Sequence, residues 1–299
     1  MNTNSEPTNV RMQQAESSHT DLPLSELMRV SATDEPDVFV AKTETYGPVG
    51  IYGGHLLGQA MAAGLATVEE SKMAHSYHAY FLRAGDPTLP LRYEVLRLRE
   101  TRHGDTRAIT ALQGDHKVFH MIASFKTAET GDEHQPQAPA VEAPEAVIAA
   151  REAKGEMQFP FPVVQAGRVQ MEWASPSFFE FDRNDSPALR LWMRVAPSDV
   201  PLSPRERQIV MAYLSDGPLM FNSVLPHGIP FESHRLTSLD QSAWFHRDAD
   251  PFEWMIFDQR STAATAGRGM NEGQIYTRDG QLLMTCAQES MLRNIAQNT

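Results

Sequence analysis

The chain has 299 residues, of which 41% are hydrophobic and 21% charged, and its formal net charge is −12. This length favours about two domains, and the acidic balance argues against a nucleic-acid-binding surface. No apolar stretch approaches the roughly 20 residues that a membrane-spanning helix needs, and the single cysteine excludes an intrachain disulfide. These properties predict a cytoplasmic protein without a membrane span.

The first half begins with a polar segment, residues 1–22, that lacks the apolar core of a secretory signal and predicts a disordered tail. Residues 51–70 predict a helix that opens on Gly53-Gly54, because apolar residues recur at helical spacing: Leu57, Met61, Leu65 and Val68. Small residues fill the rest of this helix, which suggests burial against a sheet. Four strand-like runs follow, at His75–Leu82, Leu91–Leu98, Thr106–Gln113 and Val118–Phe125.

Residues 128–164 differ in composition from both flanks and predict a linker. Five prolines interrupt this Ala/Glu-rich stretch, in which one short helix is expected near Ala146–Ala153.

The second half repeats the plan of a helical segment and antiparallel strands. Strands are predicted at Phe178–Asp182 and Leu189–Val195, and Ser203-Pro204-Arg205-Glu206 is a capping-box start for a helix. Asp216-Gly217-Pro218 breaks that helix, and a further helical turn is expected over Leu219–Val224. Strands follow at Leu239–Arg247, Glu253–Gln259, Asn271–Thr277 and Leu282–Met291.

The two halves align at a constant offset of 164 residues, which matches Phe81, Arg83, Asp86 and Pro87 with Phe245, Arg247, Asp250 and Pro251. A shared offset over this length is difficult to obtain by chance. Two copies of one pattern imply a single fold that has been duplicated.

The chain resembles the acyl-CoA thioesterase II family in segments that keep their order: IYGGHLLGQAM, HSYHAYFLRAGD, AYLSD, LPHGI, LDQSAWFHR and TCAQESMLR. The resemblance implies an α+β fold, a tandem or double hotdog in which each unit has a long central helix wrapped by an antiparallel sheet. The expected units are an N-terminal hotdog at 23–127, the linker at 128–164 and a catalytic C-terminal hotdog at 165–296.

The resemblance also implies an activity, the hydrolysis of acyl-CoA to a free acid and CoA, with no cofactor and no metal. Family members hold the attacking water with an aspartate, a hydroxyl residue and a glutamine, which match Asp216, Ser238 and Gln288. Most members carry threonine at the hydroxyl position. Because serine lacks the methyl group that restricts the rotamer, the Ser238 contact is expected to be looser.

Substrate-binding residues are expected at the helix starts: Gly53, Gly54, His55 and Gly217. Backbone N–H groups near Gly53-Gly54 or near Gly217–Leu219 are alternative donors to the thioester oxygen, and the sequence does not separate them. His55 is expected to line the site, although a histidine in such a position is more often a structural residue.

The repeat predicts one site per chain. At the offset of 164, Ser238 corresponds to Ala74 and Gln288 to Ser124, and the segment equivalent to the Asp216 break has no carboxylate. The first half is therefore expected to supply structure and substrate contacts only.

Two other functions stay open at this point. The segment RAGDPTLPL superficially resembles the motif of a hotdog enoyl-CoA hydratase or dehydratase, although no histidine follows Asp86 within ten residues. A non-catalytic acyl-CoA-binding module is the second alternative. Acyl-CoA is the expected ligand, and further copies of the chain are expected partners in a homo-oligomer, because exposed sheet edges and faces commonly become interfaces.

Overall fold

The computed structural model of the chain describes residues 22–44, 50–156, 161–183 and 185–297. The predicted tail lies outside this description except for Leu22, whose carbonyl accepts a hydrogen bond from Arg168 at 2.7 Å. The helices of the described residues are α1 (Leu24–Leu27), α2 (Gly53–Leu65), α3 (Pro144–Lys154), α4 (Pro162–Gln165) and α5 (Pro204–Leu214), with 3-10 helices at Pro218–Ser223 and Ile295–Gln297.

One antiparallel sheet of 13 strands runs through the described part of the chain. Its first half consists of β1 (Ser31–Ala32), β2 (Val38–Ala41), β3 (Lys72–Phe81), β4 (Leu91–Glu100), β5 (Gly104–Gln113) and β6 (His116–Thr127). Its second half consists of β7 (Val169–Trp173), β8 (Ala188–Val195), β9 (His234–Ser238), β10 (Asp240–Phe245), β11 (Met255–Thr265), β12 (Arg268–Thr277) and β13 (Leu282–Asn294). The order is β1-β2-β4-β5-β6-β3-β10-β13-β12-β11-β8-β7, with β9 paired to β13, so the halves meet at the β3–β10 pair.

The β3–β10 pair shows the internal repeat directly. His78 lies opposite Ser242 in this antiparallel pair, and its Nδ1 is 2.9 Å from the Ser242 hydroxyl oxygen. The two residues are 164 positions apart, which is the offset that the sequence predicts. A residue faces its own repeat equivalent only where a pseudo-two-fold axis passes between the strands. The predicted offset is therefore confirmed for the two central strands.

The last strand departs from this offset by one residue. The strand pairing makes Ala287 of β13 equivalent to Ile122 of β6, an offset of 165. The cause is the hairpin turn before β13, which is one residue longer than the turn before β6. Gln288 therefore corresponds to the buried Ala123, and the predicted match with Ser124 is wrong. The conclusion drawn from it is unchanged, because alanine offers no polar group.

The central helices of the two halves differ in length. Helix α2 packs over β3–β6, whereas the segment that packs on β11–β13 is the 3-10 helix Pro218–Ser223. Pro226 prevents a longer α-helix here, because proline lacks an N–H and disfavours helical conformation in the residue before it. Helix α5 begins with the predicted capping box of Ser203 and Glu206 and lies against α2. The expectation of a long central helix is confirmed only for the first half.

One predicted strand is a turn instead. At Phe178–Asp182 the chain folds back, the Ser177 hydroxyl donates to Glu180 at 3.0 Å, and the Phe178 ring packs edge-on against Trp173 and Phe221. The apolar residues of this run form a local aromatic cluster rather than one face of a strand. The strand next to β8 is β7, which was not predicted; neither were β1, β2 and β9.

The predicted linker contains the expected short helix, α3, and packs against the outer face of the second half. The indole N–H of Trp192 donates to the Glu142 carbonyl at 2.8 Å. Around it a small apolar cluster joins β8, β11, β12 and β13 to the linker through Trp192, Trp254, Ile256, Tyr276, Leu282, Val147 and Ile148.

Candidate active site

The three residues predicted to carry the chemistry converge in the structure. Asp216 follows the end of α5, Ser238 is the last residue of β9, and Gln288 lies midway along β13. The Nε2 of Gln288 donates to Asp216 Oδ1 at 2.6 Å and to Ser238 Oγ at 3.2 Å. The Ser238 hydroxyl also hydrogen-bonds the carboxylate. Three distant segments of the chain thus form one hydrogen-bonded cluster.

Asp216 reaches this cluster because α5 ends immediately before it. Ser215 is the C-cap of the helix, and the N–H of Gly217 turns back to the Leu214 carbonyl at 3.1 Å. Pro218 follows and has no N–H to continue the helical pattern. The side chain of Asp216 therefore points away from the helix surface into the protein, where only 6% of the residue is exposed.

The first half contributes the N-terminus of α2 to the same site. The N–H of Gly54 donates to the Asp216 carboxylate. A Cβ on Gly53 would lie 2.5 Å from Asp216 Oδ2, and a Cβ on Gly54 would lie 2.2 Å from the Tyr213 carbonyl oxygen. Only glycine permits this approach, and the N–H groups of a first helical turn favour a negative charge. The site therefore lies where the two halves meet.

Burial changes the acidity of the central carboxyl group. It raises the pKa of Asp216 from an ordinary value of 3.8 to about 7, because loss of water disfavours the charged form. Hydrogen bonds from Gln288, the Gly54 N–H and Ser238 lower this pKa and partly offset the rise. A carboxyl group with a pKa near neutrality both accepts and returns a proton at physiological pH. Such a perturbed group is typical of catalytic sites.

Two of the predicted substrate-binding residues, His55 and Gly217, make their hydrogen bonds elsewhere and not with the three clustered side chains. His55 is fully buried, its Nε2 lies 3.1 Å from the Lys42 carbonyl oxygen, and burial chiefly lowers the pKa of His55 to about 4. The ring is therefore neutral at pH 7. Among the described residues no hydrogen bond joins it to the three clustered side chains. The N–H of Gly217 is used within the turn, which leaves it unsuited as a donor to a ligand.

Three buried residues beside Asp216 were not singled out from the sequence. The hydroxyl oxygen of Ser215 lies 2.8 Å from the Tyr77 hydroxyl and 3.0 Å from Gln241 Nε2. The internal repeat could have drawn attention to Tyr77 and Gln241. They are repeat equivalents, separated by the same 164 positions as His78 and Ser242.

The lone thiol is not a nucleophile. Cys286 is fully buried, and burial together with the negative charge of Asp216 raises the pKa of its thiol well above the usual range. The thiol therefore stays protonated, and its Sγ lies 3.6 Å from the Gly273 carbonyl oxygen. Across the described ranges, no group of three or more His, Cys, Asp or Glu side chains is placed to hold a metal ion.

Comparison with known proteins decides the family. Residues 42–126 match the family model described as the acyl-CoA thioesterase N-terminal domain, and residues 137–292 match the acyl-CoA thioesterase C-terminal domain. The acyl-CoA thioesterase 2 of Haemophilus influenzae is 30% identical over 277 residues, which cover 90% of this chain and 96% of the relative. The chain belongs to the acyl-CoA thioesterase II family.

Other relatives of this acyl-CoA thioesterase II family member agree. The acyl-coenzyme A thioesterase 8 of Homo sapiens is 30% identical over 256 residues, which cover 81% of this chain and 80% of the relative. Acyl-CoA thioesterases are thioester hydrolases, so the prediction of a thioester hydrolase is confirmed at the level of the family.

Solved structures support the fold. An acyl-CoA thioesterase II from Mycobacterium marinum superposes with a TM-score of 0.77 at 26% identity, covering 91% of this chain and 99% of that one. A hot dog fold protein from Alicyclobacillus acidocaldarius gives a TM-score of 0.74 at 19% identity, covering 90% of this chain and 97% of that one. The predicted double hotdog is therefore confirmed. No helix in the described part of the chain is long and apolar enough to cross a membrane.

Proposed function

We propose that Asp216, Ser238 and Gln288 form the hydrolytic site of this family member, with acyl-CoA as the substrate and a free acid and CoA as products. The observation that carries the proposal is the Asp216 carboxyl group. It is buried, its pKa is about 7, and Gln288 holds it at 2.6 Å. A base of that acidity is well matched to the activation of water at neutral pH.

In the proposed reaction, ionised Asp216 accepts a proton from a water molecule as the water oxygen attacks the thioester carbonyl carbon. The tetrahedral intermediate collapses, the C–S bond breaks, and Asp216 returns the proton to the departing thiolate. One water is consumed, and the products are the carboxylic acid and the CoA thiol. The carboxyl group therefore acts first as the base and then as the acid.

Gln288 and Ser238 orient the water in this proposal. Gln288 Oε1 is buried and has no hydrogen-bond partner among the described residues, while the Nε2 of the same amide donates to Asp216. A buried acceptor of this kind requires a donor, and the water that loses one proton to the carboxylate still has a second one to give. Ser238 accepts from Gln288 and bonds the carboxylate, which fixes the orientation of the base.

We place the oxyanion at the first turn of α2. The alternative start at Gly217–Leu219 is less suited, because its first N–H already bonds within the turn and its second residue is a proline. The N–H of Gly54 faces Asp216. Gly53 is the first residue of α2, so its N–H has no acceptor within the helix and is the proposed donor to the oxyanion. A role for His55 in substrate binding stays a prediction.

We also propose one site per chain. Tyr52, Ala74 and Ala123 occupy the first-half positions equivalent to the three catalytic side chains, and none of them is a base or an amide. The proposed organisation is an N-terminal hotdog at 23–127 that contributes no catalytic side chain, a linker at 128–164 and a catalytic hotdog at 165–296. The homo-oligomeric state and the cytoplasmic location stay predictions.

The experiment offers the purified protein a panel of acyl-CoA and enoyl-CoA thioesters and follows thiol release and enoyl hydration in parallel. Thiol release that is lost in Asp216→Asn and in Gln288→Ala supports the proposal. The matched control is Asp258→Asn, whose carboxylate pairs with Arg190 on β8 and lies outside the cluster. Hydration without thiol release, as in a hydratase, or binding without turnover, as in a binding module, would contradict the proposal.

A further inference from the structure

A second hydrogen-bonded group holds the chain immediately before the proposed base. The Ser215 hydroxyl donates to the Ala212 carbonyl at 2.8 Å and receives the Nε2 of Gln241 at 3.0 Å and the Tyr77 hydroxyl at 2.8 Å. A serine hydroxyl has one proton and two lone pairs. Since its proton goes to Ala212 and the amide only donates, Tyr77 is the donor in its own contact. The Ser215 hydroxyl is therefore saturated, and its position is determined.

The two side chains that hold Ser215 come from the two halves of the sheet. Tyr77 lies on β3 and Gln241 on β10, each one residue away from the His78–Ser242 pair through which the pseudo-two-fold axis passes. They are repeat equivalents that now differ in chemistry. At the same offset, Ser215 corresponds to Ile51, which has no hydroxyl. Tyr77 and Gln241 therefore converge only on the second-half segment, which also carries Asp216.

The amide of Gln241 is not explained by stability. The side chain is fully buried, and its Oε1 has no hydrogen-bond partner among the described residues. A buried unsatisfied carbonyl oxygen destabilises a folded protein, whereas an apolar side chain of the same shape does not. Without Gln241, Ser215 would still have Tyr77 as a donor and Ala212 as an acceptor. The chain thus keeps a destabilising amide whose one described side-chain hydrogen bond goes to Ser215, the residue before Asp216.

We propose that Tyr77 and Gln241 are positioning residues that hold Ser215, and through it set the distance between Asp216 and Gln288. This inference rests on the proposed hydrolytic role of Asp216. The rigid attachment matters because Asp216 sits in the short segment between α5 and the 3-10 helix, where a shift of a few tenths of an ångström changes the geometry of the base. Small misplacements of a catalytic group reduce the rate far more than they reduce substrate binding.

The test compares Tyr77→Phe, Gln241→Met, their double variant and Ser215→Ala by steady-state kinetics with one acyl-CoA and by thermal unfolding. We expect each single variant to lower kcat by about tenfold with little change in KM. Because the effects share one hydroxyl, the double variant should fall no further than Ser215→Ala. Gln241→Met should unfold at the same temperature as the wild type or higher.

The matched control is Tyr93→Phe. Tyr93 is also fully buried in the first half, and its hydroxyl donates to Gln59 Oε1 at 3.0 Å. This variant should lose stability and keep kcat. The proposal is overturned if Tyr77→Phe and Gln241→Met keep the wild-type kcat, or if they behave as Tyr93→Phe does. Failure of the proposed function would show separately, as thiol release that persists in Asp216→Asn.

Discussion

Replacing Asp216 with asparagine removes the proposed base and, with it, a buried titratable group. The pKa of Asp216 is about 7 in the folded protein, against an ordinary value of 3.8. Since folding raises this pKa, the folded state binds the proton more tightly than the unfolded state does. The carboxyl group therefore destabilises the folded state progressively as the pH rises from about 4 to about 7. At about 1.4 kcal/mol per pKa unit, the full penalty is roughly 4 kcal/mol above pH 7.

Asparagine does not titrate, so the Asp216→Asn variant is free of this penalty. We expect it to be more stable than the wild type, with a difference in unfolding free energy that grows by roughly 3 kcal/mol between about pH 5 and about pH 9. Guanidinium unfolding of both proteins across this range measures the difference. The same variant should have lost thiol release, as expected when a destabilising group is retained for activity.

The control for the stability measurement is Asp86→Asn, at an exposed carboxyl group whose pKa is held below its usual value by hydrogen bonds from Thr88. Because that carboxyl group is ionised throughout the range, the difference from the wild type should stay constant with pH. If the difference for Asp216→Asn is also constant between about pH 5 and about pH 9, the carboxyl group does not titrate near neutrality. Burial would then not control its acidity.

Variants at three further positions test the site. Gly53→Ala should lower kcat by at least about tenfold, because the added Cβ would lie 2.5 Å from Asp216 Oδ2; a wild-type kcat would show that α2 is not fixed against the carboxylate. Ser238→Thr should keep kcat within about threefold of the wild type, whereas Ser238→Ala should lower it by about tenfold, because only alanine loses the hydroxyl. Ala74→Ser, at the first-half equivalent of Ser238, should leave thiol release unchanged in the same assay, and a collapse of turnover would contradict a single site per chain.

The features that sequence predicted well depend on local chemistry. The capping box of Ser203 and Glu206 needs only residues three positions apart, and both of its hydrogen bonds are present. The Asp216-Gly217-Pro218 break is equally local, because Pro218 has no N–H with which to continue the helix that ends at Leu214. The offset of 164 was visible because it extends over both central strands. The three clustered side chains, however, were selected through the family resemblance and not from their spacing.

The features that sequence missed depend on contacts between distant segments. At Phe178–Asp182 the aromatic run matched a strand, but Phe221 from another segment makes it part of a cluster. One additional residue in a hairpin turn shifted the equivalent of Gln288 without leaving a signal in the alignment. The pKa of Asp216 depends on the docking of α2 against the end of α5. No pattern within either segment encodes that contact.

The pH dependence of kcat/KM for one acyl-CoA tests most directly whether the Asp216 carboxyl group is the base. A base must be ionised to accept a proton, so kcat/KM should rise with pH and level off above an inflection near 7, where the pKa of Asp216 lies. Asp216→Asn should show no such rise and almost no thiol release. A wild-type profile that is flat between about pH 5 and about pH 9, or an Asp216→Asn variant that keeps the wild-type profile, would contradict this role for Asp216.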